Sequence, residues 1–265
     1  MKAFLLAGTA IVAFATAASA ADLAPRSFVK APAATARTHN WTGCYAGGHV
    51  GAGWSKTNVT DVPGVMSVNG AFDIEGDTSV LGGVQLGCDY QFANAWVVGL
   101  AGDFSGTNIK GTVDDPFFGN KNPGPAQIHT RTDWLASLSG RVGYAWDNVL
   151  LYGKGGVGFA HDRYSLSNFT ATGGGFCQSG GFVACNPAGS FNRVGWVAGA
   201  GIEWAFASNW SAFIEYVHYG FDQKTLSISD PNAVGPTPLR VRQDIDVVKV
   251  GVNYRFTAGS IVARY

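Results

Sequence analysis

The sequence predicts an all-β fold, an eight-stranded antiparallel transmembrane β-barrel with long extracellular loops and short periplasmic turns. Three observations predict it: eight stretches alternate with period two, tight and long joints alternate between them, and aromatic residues stand near both ends of the stretches. No stretch keeps the helical period over a useful length, which excludes an α/β fold. The 37 glycines, with 13% aromatic and only 14% charged residues, suit strands and tight turns.

The N-terminus carries the pattern of an export signal. Lys2 precedes an apolar run over 4–18, and the run closes on a small-residue site that ends at Ala20. We therefore predict a signal peptide over 1–20, cleaved after Ala20. The alternative, a retained helical anchor, would need about 20 apolar residues with charged flanks. Residues 21–40 are rich in Ala and Pro and predict a flexible periplasmic leader.

The charge balance narrows the classes of partner. The chain has 18 basic and 18 acidic residues, without a polybasic run or an acidic tail. We expect no nucleic-acid partner, because nucleic-acid binding needs a basic surface.

The eight alternating stretches each have an apolar face and a face of glycine, small or charged residues. They lie at about 42–54, 80–92, 96–104, 133–146, 151–159, 193–206, 210–216 and 248–256. In the fourth stretch the alternation places Asp133 on the polar face with Ser137, Ser139 and Arg141.

The joints between the stretches favour a membrane barrel over a soluble β-sandwich. Three joints are tight, at 92–95, 146–148 and 206–209. Four are long and polar, at about 55–77, 106–130, 162–191 and 222–243. This strict alternation is typical of outer-membrane barrels. An even strand number then places both termini on the tight-turn side, the periplasm.

Aromatic residues form two predicted belts. Trp96, Trp146, Phe206 and Trp210 stand beside the tight turns, and Trp54, Phe104, Trp134 and Phe159 near the opposite strand ends. Two belts around an aliphatic band are what a lipid-facing surface requires. The alternative is that these rings form the core of a sandwich.

If the apolar faces look outward, the other faces line the lumen. Near mid-strand they carry three acids and three bases: Asp103, Arg141, Lys154, Glu203, Glu215 and Lys249. Isolated buried charges are costly, so we expect these groups to pair in a plug that closes an eight-stranded lumen. The alternative is an ion path or acid–base chemistry. A polar plug argues against a wide diffusion pore.

Four cysteines remain in an exported chain, which makes two disulfides plausible. Cys44 and Cys88 fall on the same face of neighbouring strands, where a cross-strand disulfide depends on register. Cys177 and Cys185 lie in the third long joint and would close a small loop, or remain free thiols.

The histidines suggest neither a metal nor a cofactor. His129 and His161 lie in predicted loops without a second ligand at metal spacing, so we expect isolated solvated side chains. His49 and His218 lie in strands without an HExxH or triad context.

The last strand carries the most specific motif, with Lys249, Gly251, Tyr254 and Phe256 in a polar-x-Gly-x-x-aromatic-x-aromatic pattern. It resembles the C-terminal signal that the outer-membrane assembly machinery reads. Together with WTGCYAGGHVGAGW, GGVQLGCDYQF, WVVGLAGDFSG, YGKGGVGFA, WSAFIEYVHYGF and VGVNYRF, the chain resembles the small porin-family outer-membrane proteins of α-proteobacteria such as rhizobia and brucellae. That family has the OmpA-type eight-stranded barrel.

The resemblance covers 41–256, the predicted outer-membrane barrel, and leaves 257–265 as a short C-terminal extension. Such chains usually end at the aromatic residue of the last strand, so here either Phe256 or Tyr265 would present the assembly signal.

The resemblance implies an outer-membrane surface protein that contributes to envelope integrity and host contact. Expected partners are outer-membrane lipid and lipopolysaccharide, the assembly machinery, and host molecules or phage that meet the loops. We expect a structural, non-enzymatic role. Two alternatives stay open: a narrow porin for passive diffusion of small solutes, and a barrel enzyme that acts on lipid A or peptides through a polar cluster such as Asp133 or His161.

Overall fold

The fold is taken from a computed structural model, which describes residues 39–61, 71–114, 127–167, 169–170, 184–185, 188–228 and 237–256. All described residues lie in one compact unit, Arg37–Tyr265. The predicted signal peptide, its cleavage after Ala20, most of the leader and the extension 257–265 lie outside the described residues. In the ranges that the structure describes, no helix is long and apolar enough to cross a membrane.

The described secondary structure consists of strands. In chain order they are β1 (Gly43–Asp61), β2 (Ala71–Glu75), β3 (Ser79–Gln91), β4 (Trp96–Asp114), β5 (Gln127–Trp146), β6 (Val149–Ser167), β7 (Phe169–Thr170), β8 (Ala184–Cys185), β9 (Ala188–Ala205), β10 (Trp210–Ile228) and β11 (Thr237–Phe256).

Eight long strands close into a barrel, which confirms the predicted fold class. Their order around the ring is β1, β3, β4, β5, β6, β9, β10 and β11, with every neighbour antiparallel. The ring closes where β1 pairs with β11, from Cys44 opposite Phe256 to Asp61 opposite Leu239. Closure satisfies the backbone of both edge strands, which a lipid environment demands.

The three short strands are additions to this barrel. Strand β2 pairs with Lys56–Thr60 of β1, and β3 pairs with the earlier part of β1, Gly43–Gly53. An isolated bridge between Gly76 and Gly111 joins the residue after β2 to β4. Strands β7 and β8 form a separate two-residue ladder.

The three predicted tight joints are confirmed at 92–95, 147–148 and 206–209. Ala95 and Asp147 have positive φ angles of 67° and 51°, which reverse the chain within a few residues. Because Cys44 pairs with Phe256, the first and last barrel strands both meet this side, which we call the tight-turn end. The opposite side is the far end.

The long joints are shorter than predicted, because the strands run well past the far aromatic residues. β1 continues from Trp54 to Asp61, and β4 from Phe104 to Asp114, with cross-strand pairing maintained. Trp54, Phe104, Trp134 and Phe159 therefore lie within strands and not at their ends. The backbone ladder continues there although the outer residues change from apolar to polar.

The outward face is apolar, as predicted. The most exposed aliphatic side chains include Val84, Leu86, Leu100 and Leu138, each more than 60% exposed. At the tight-turn end, Trp96, Trp146, Phe206 and Trp210 are also outward and 45–55% exposed. In water such a surface would be unfavourable, and in a bilayer it meets lipid.

The prediction for Asp133 is wrong. A register shift between Thr132 and Trp134 leaves Asp133 unpaired, so Asp133 and Trp134 both lie outward while Thr132 is buried. Such a β-bulge inverts the alternation beyond it. Asp133 does not join Ser137, Ser139 and Arg141 in the lumen.

Two apolar clusters fill parts of the lumen. At the tight-turn end, Trp41, Val97, Ala145, Leu150, Tyr152 and Ala205 pack together. Toward the far end lies a larger cluster, which we call the apolar layer: Leu81, Ile109, Leu135, Ala160, Val197, Val217, Tyr219, Phe221, Ile245 and Val247.

Candidate functional site

The candidate site is the charged part of the lumen, between these two apolar clusters. Because side chains alternate between the two faces of a strand, every second side chain points inward. In this part of the lumen the inward positions include eight acidic or basic side chains. Each is at most 9% exposed. They separate into two groups of four.

The first group, which we call the lower ring, lies nearer the tight-turn end and contains Asp89, Arg141, Glu203 and Arg255. Arg141 lies 2.8 Å from Asp89 and 3.0 Å from Glu203. Arg255 lies 3.0 Å from the same Asp89 oxygen and 3.8 Å from Glu203. Two cations and two anions thus alternate in a closed ring.

The second group, the upper ring, repeats this arrangement with lysines and contains Asp103, Lys154, Glu215 and Lys249. Lys154 Nζ lies 3.3 Å from Asp103 and 2.8 Å from Glu215. Lys249 Nζ lies 3.4 Å from Asp103 and 3.1 Å from Glu215. Each ring has no net charge.

Tyrosine side chains connect the two rings. Tyr152 donates its hydroxyl to Glu215 of the upper ring at 2.9 Å. The Arg141 guanidinium of the lower ring lies 4.6 Å from the centre of the Tyr152 ring, in the range of a cation–π contact. Arg141 also donates to the Tyr45 hydroxyl at 3.2 Å. The eight charges therefore belong to one network.

Neutral side chains donate further hydrogen bonds to the carboxylates of the network. Ser137 donates to Asp103 at 2.5 Å. Ser211 and Asn253 donate to Glu203 at 2.6 and 3.0 Å. A buried ion pair offsets its desolvation cost only when such additional hydrogen bonds are present.

All six predicted lumen residues, Asp103, Arg141, Lys154, Glu203, Glu215 and Lys249, lie in this network. Sequence reasoning missed Asp89 and Arg255, which have the same inward parity but lie near the strand ends and not at mid-strand. A signal was available, because the period-two alternation places Asp89 and Arg255 on the same polar face as the six predicted residues. The six residues alone carry an even balance, which concealed the missing pair.

Beyond the apolar layer, a second polar group closes the far end. Arg193 donates to Gln243 at 2.9 Å and lies 3.9 Å from Asp162. Thr132 donates to Asp162 at 2.6 Å. Each of these side chains is at most 2% exposed.

Glycines on the inward face let the walls approach. A Cβ atom at Gly83 would lie 2.0 Å from the Phe104 carbonyl oxygen and 2.8 Å from His49 Nε2. His49 itself contacts Ser105 at 2.8 Å. The described part of the lumen is therefore packed in alternating apolar and polar layers.

The cysteines differ in what the structure shows. Cys44 and Cys88 face each other across β1 and β3 and form a disulfide on the outward face. Cys177 lies outside the described residues, and nothing is described of the Cys185 side chain in β8. Pairing of these two stays a prediction.

The prediction that His129 and His161 lie in loops as isolated side chains is wrong. His129 lies in β5 and bonds to Thr112 and Ser167. His161 lies in β6, bonds to Asn192 at 2.8 Å and stacks on Trp134. Both occupy wall positions because the strands extend further than the sequence pattern suggested.

His218 takes part in an outward contact that sequence reasoning missed. Its Nδ1 lies 2.8 Å from Asp246, which also accepts a hydrogen bond of 2.6 Å from Tyr216. In the part of the chain that the structure describes, no serine, threonine or cysteine bonds to His218. The same ranges contain no group of three or more His, Cys, Asp or Glu side chains arranged to hold a metal ion.

The four motif residues of the last strand divide between two faces. Lys249 and Gly251 point into the lumen, where Lys249 belongs to the upper ring. Tyr254 and Phe256 point outward and are 38% and 53% exposed. Recognition of this strand by an assembly machinery stays a prediction.

Comparisons with known sequences agree with this architecture. The family model of the outer membrane protein beta-barrel domain matches residues 8–256. The 31 kDa outer-membrane immunogenic protein of Brucella melitensis biotype 1 is 29% identical over 261 residues, which cover 97% of this chain and 100% of that protein. The 25 kDa outer-membrane immunogenic protein of Brucella abortus biovar 1 is 25% identical over 260 residues, covering 97% and 99%.

Two solved structures align with this chain at low sequence identity. OprG from Pseudomonas aeruginosa aligns with a TM-score of 0.46 and 17% identity, covering 84% of this chain and 99% of that chain. Ail of Yersinia pestis, solved in complex with the heparin analogue sucrose octasulfate, aligns with a TM-score of 0.37 and 14% identity, covering 81% and 100%.

Proposed function

Because the chain belongs to the family of the outer membrane protein beta-barrel domain, we propose that it serves the outer membrane as a structural, surface-exposed barrel with a closed lumen and no enzymatic activity. The outer-membrane location follows from the family and the relatives. The closed lumen and the structural role are the proposed part. The tight-turn end would then face the periplasm and the far end the outside.

The packed lumen is the observation that carries this proposal. A solute that crossed the barrel would have to separate Arg141 from Asp89 and Glu203 in the lower ring, and then part the upper ring. It would next have to displace Leu135 and Val217 in the apolar layer. Buried ion pairs separate at high cost. A narrow porin is therefore the weaker alternative.

The enzyme alternative has less support. The polar groups named for it, Asp133 and His161, are held on the wall by Arg131, Arg163 and Asn192. A nucleophilic mechanism needs a hydroxyl or thiol within hydrogen-bond reach of a base. The His218–Asp246 pair has a base and an acid but no such partner among the described residues.

Single-channel recording in planar bilayers tests the closed lumen. The refolded chain is expected to insert without discrete openings, and a mock preparation from cells that lack this chain controls for a contaminating porin. Discrete openings that need the folded chain would overturn the proposal.

Mass spectrometry of lipid A tests the absence of lipid chemistry. Incubation of proteoliposomes with lipid A is expected to leave the acyl pattern unchanged. A new product that disappears in His218→Ala would show an enzyme and would contradict the proposed role.

A further inference from the structure

A row of basic side chains crosses three neighbouring strands on the outer wall. Lys110 on β4 is directly opposite Arg131 on β5, and Arg131 is directly opposite Arg163 on β6. All three side chains are exposed. We call Lys110, Arg131 and Arg163 the basic row.

The row has more positive charge than its neighbours balance. Asp133 contacts both arginines, at 2.8 Å from Arg131 and 2.6 Å from Arg163. Asp77 bonds to Lys110 through the backbone, and among the described residues no carboxylate forms an ion pair with Lys110. The two arginines thus share one carboxylate and Lys110 has none in an ion pair, so the three cations are only partly neutralised. Like charges directly opposite each other destabilise a sheet, and Asp133 relieves this only between the two arginines, so Lys110 opposite Arg131 is unfavourable without a further anion.

The wall is concave at this place. A cavity of about 530 Å³ is lined by the basic row together with Thr112, His129, Ser165 and Ser190, among others. Cationic side chains and serine hydroxyl groups in one recess are donors that phosphate oxygens accept from.

The height of the row identifies which phosphates it would meet. Arg131 lies two rungs of the ladder beyond Trp134, which belongs to the far aromatic belt. At about 3.3 Å per residue this is about 7 Å along the strand, where the polar headgroups begin. The side chains point outward, toward lipid and away from the lumen.

A second charged group at the same height lacks this excess of positive charge. Lys56 lies two residues beyond Trp54 and shares a recess with Arg242, Asp73 and Asp244. There two bases face two acids, and Asp244 lies 3.8 Å from Arg242. The wall is balanced on that side and positive at the basic row.

We propose that Lys110, Arg131 and Arg163 form a binding site for the phosphate groups of an outer-leaflet glycolipid. The inference rests on the outward orientation of the far end in the proposed function. The ligand would insert its acyl chains beside the apolar band and place its phosphate in the recess, where it would separate the three cations.

The test uses the full refolded barrel in detergent with bisphosphorylated lipid A as the probe. Lys110→Gln/Arg131→Gln removes the excess charge and keeps the Arg163–Asp133 pair. Lys56→Gln/Arg242→Gln removes equal charge at the same height and is the matched control. Binding is measured as the lipid A retained per barrel. Lipid A is expected to bind the first variant about 30-fold more weakly than the unchanged chain, and to bind the control within about threefold of it.

Two further arms separate the sources of phosphate. Dephosphorylated lipid A is expected to bind the unchanged chain and the first variant alike, and inorganic phosphate alone is expected to bind neither at concentrations where lipid A does. Equal loss in both double variants, no loss in the first, or tight binding of inorganic phosphate would overturn the site. Channel openings bear only on the closed lumen, so the two proposals fail separately.

Discussion

Arg141 lies 2.8 Å from Asp89 in a part of the lumen where neither side chain reaches solvent. Asp89 receives a second cation, Arg255, through the same carboxylate oxygen. The pair therefore joins strands β3, β5 and β11, which are not neighbours in the barrel. Contacts of this kind brace the wall across its interior and supplement the backbone ladder.

Replacing Arg141 with leucine should destabilise the barrel strongly. Asp89 and Glu203 would keep only Arg255, and a buried charge that loses its partner costs about 3–5 kcal/mol. Urea unfolding in lipid vesicles measures the effect. The double variant Arg141→Leu/Asp89→Leu should lose less than the sum of the single losses, because the two residues are coupled. Additive losses would contradict the closed lower ring.

Removing the disulfide should lower stability without changing the fold. Cys44 and Cys88 are 44 residues apart, and a cross-link of this kind contributes about 2–4 kcal/mol by restricting the unfolded chain. Cys44→Ser/Cys88→Ser should unfold at lower urea than the unchanged chain. Peptide mapping should find the Cys44–Cys88 link intact in the control Cys177→Ser/Cys185→Ser. Two free thiols in that control would contradict the pairing.

Gly251→Ala should impair folding even without an assembly machinery. A Cβ atom there would lie 2.4 Å from the Gly48 carbonyl oxygen and 2.7 Å from the Phe213 ring. Overpacking of this type costs about 1–3 kcal/mol. Refolding into pure lipid vesicles measures it, with Gly102→Ala as control because its nearest neighbour would lie 3.6 Å away. Normal refolding of Gly251→Ala would assign the glycine to the assembly signal alone.

The walls beyond the far aromatic belt should resist hydrogen exchange. Residues 56–60 pair with both β2 and β11, so their amides are held on two sides. Hydrogen–deuterium exchange followed by mass spectrometry should find this segment protected, at a rate close to that of 44–54. Exchange at the rate of an unstructured chain would show that the strands end at the belt, as the sequence pattern suggested.

The lower part of the barrel was predictable because one rule governs it. Between the two belts, lipid requires apolar side chains outside and the lumen accepts small or charged ones, so period two is clear in the sequence. The same rule placed Lys154 and Glu215 inside before their contacts were known.

The part of the barrel beyond the far aromatic belt was less predictable, because the contrast between an apolar outer face and a polar inner face disappears there. Outside the lipid both faces of a strand can be polar. The bulge at Asp133 also reverses which residues point inward, and no local sequence signal marks it. His129 therefore looked like a loop residue although it lies in β5. Side-chain contacts such as His218–Asp246 depend on the register between strands, which sequence spacing does not determine.

The extension of the strands past the aromatic belt has a further consequence for what the cell displays. The seven residues after Trp54, up to Asp61, continue the wall by about 23 Å along the strand. With the far end facing outward, as proposed, this hydrogen-bonded sheet would stand above the membrane. A binding protein that approaches from outside would then meet side chains held at fixed spacing by the sheet itself, and its footprint would not depend on the loop sequences.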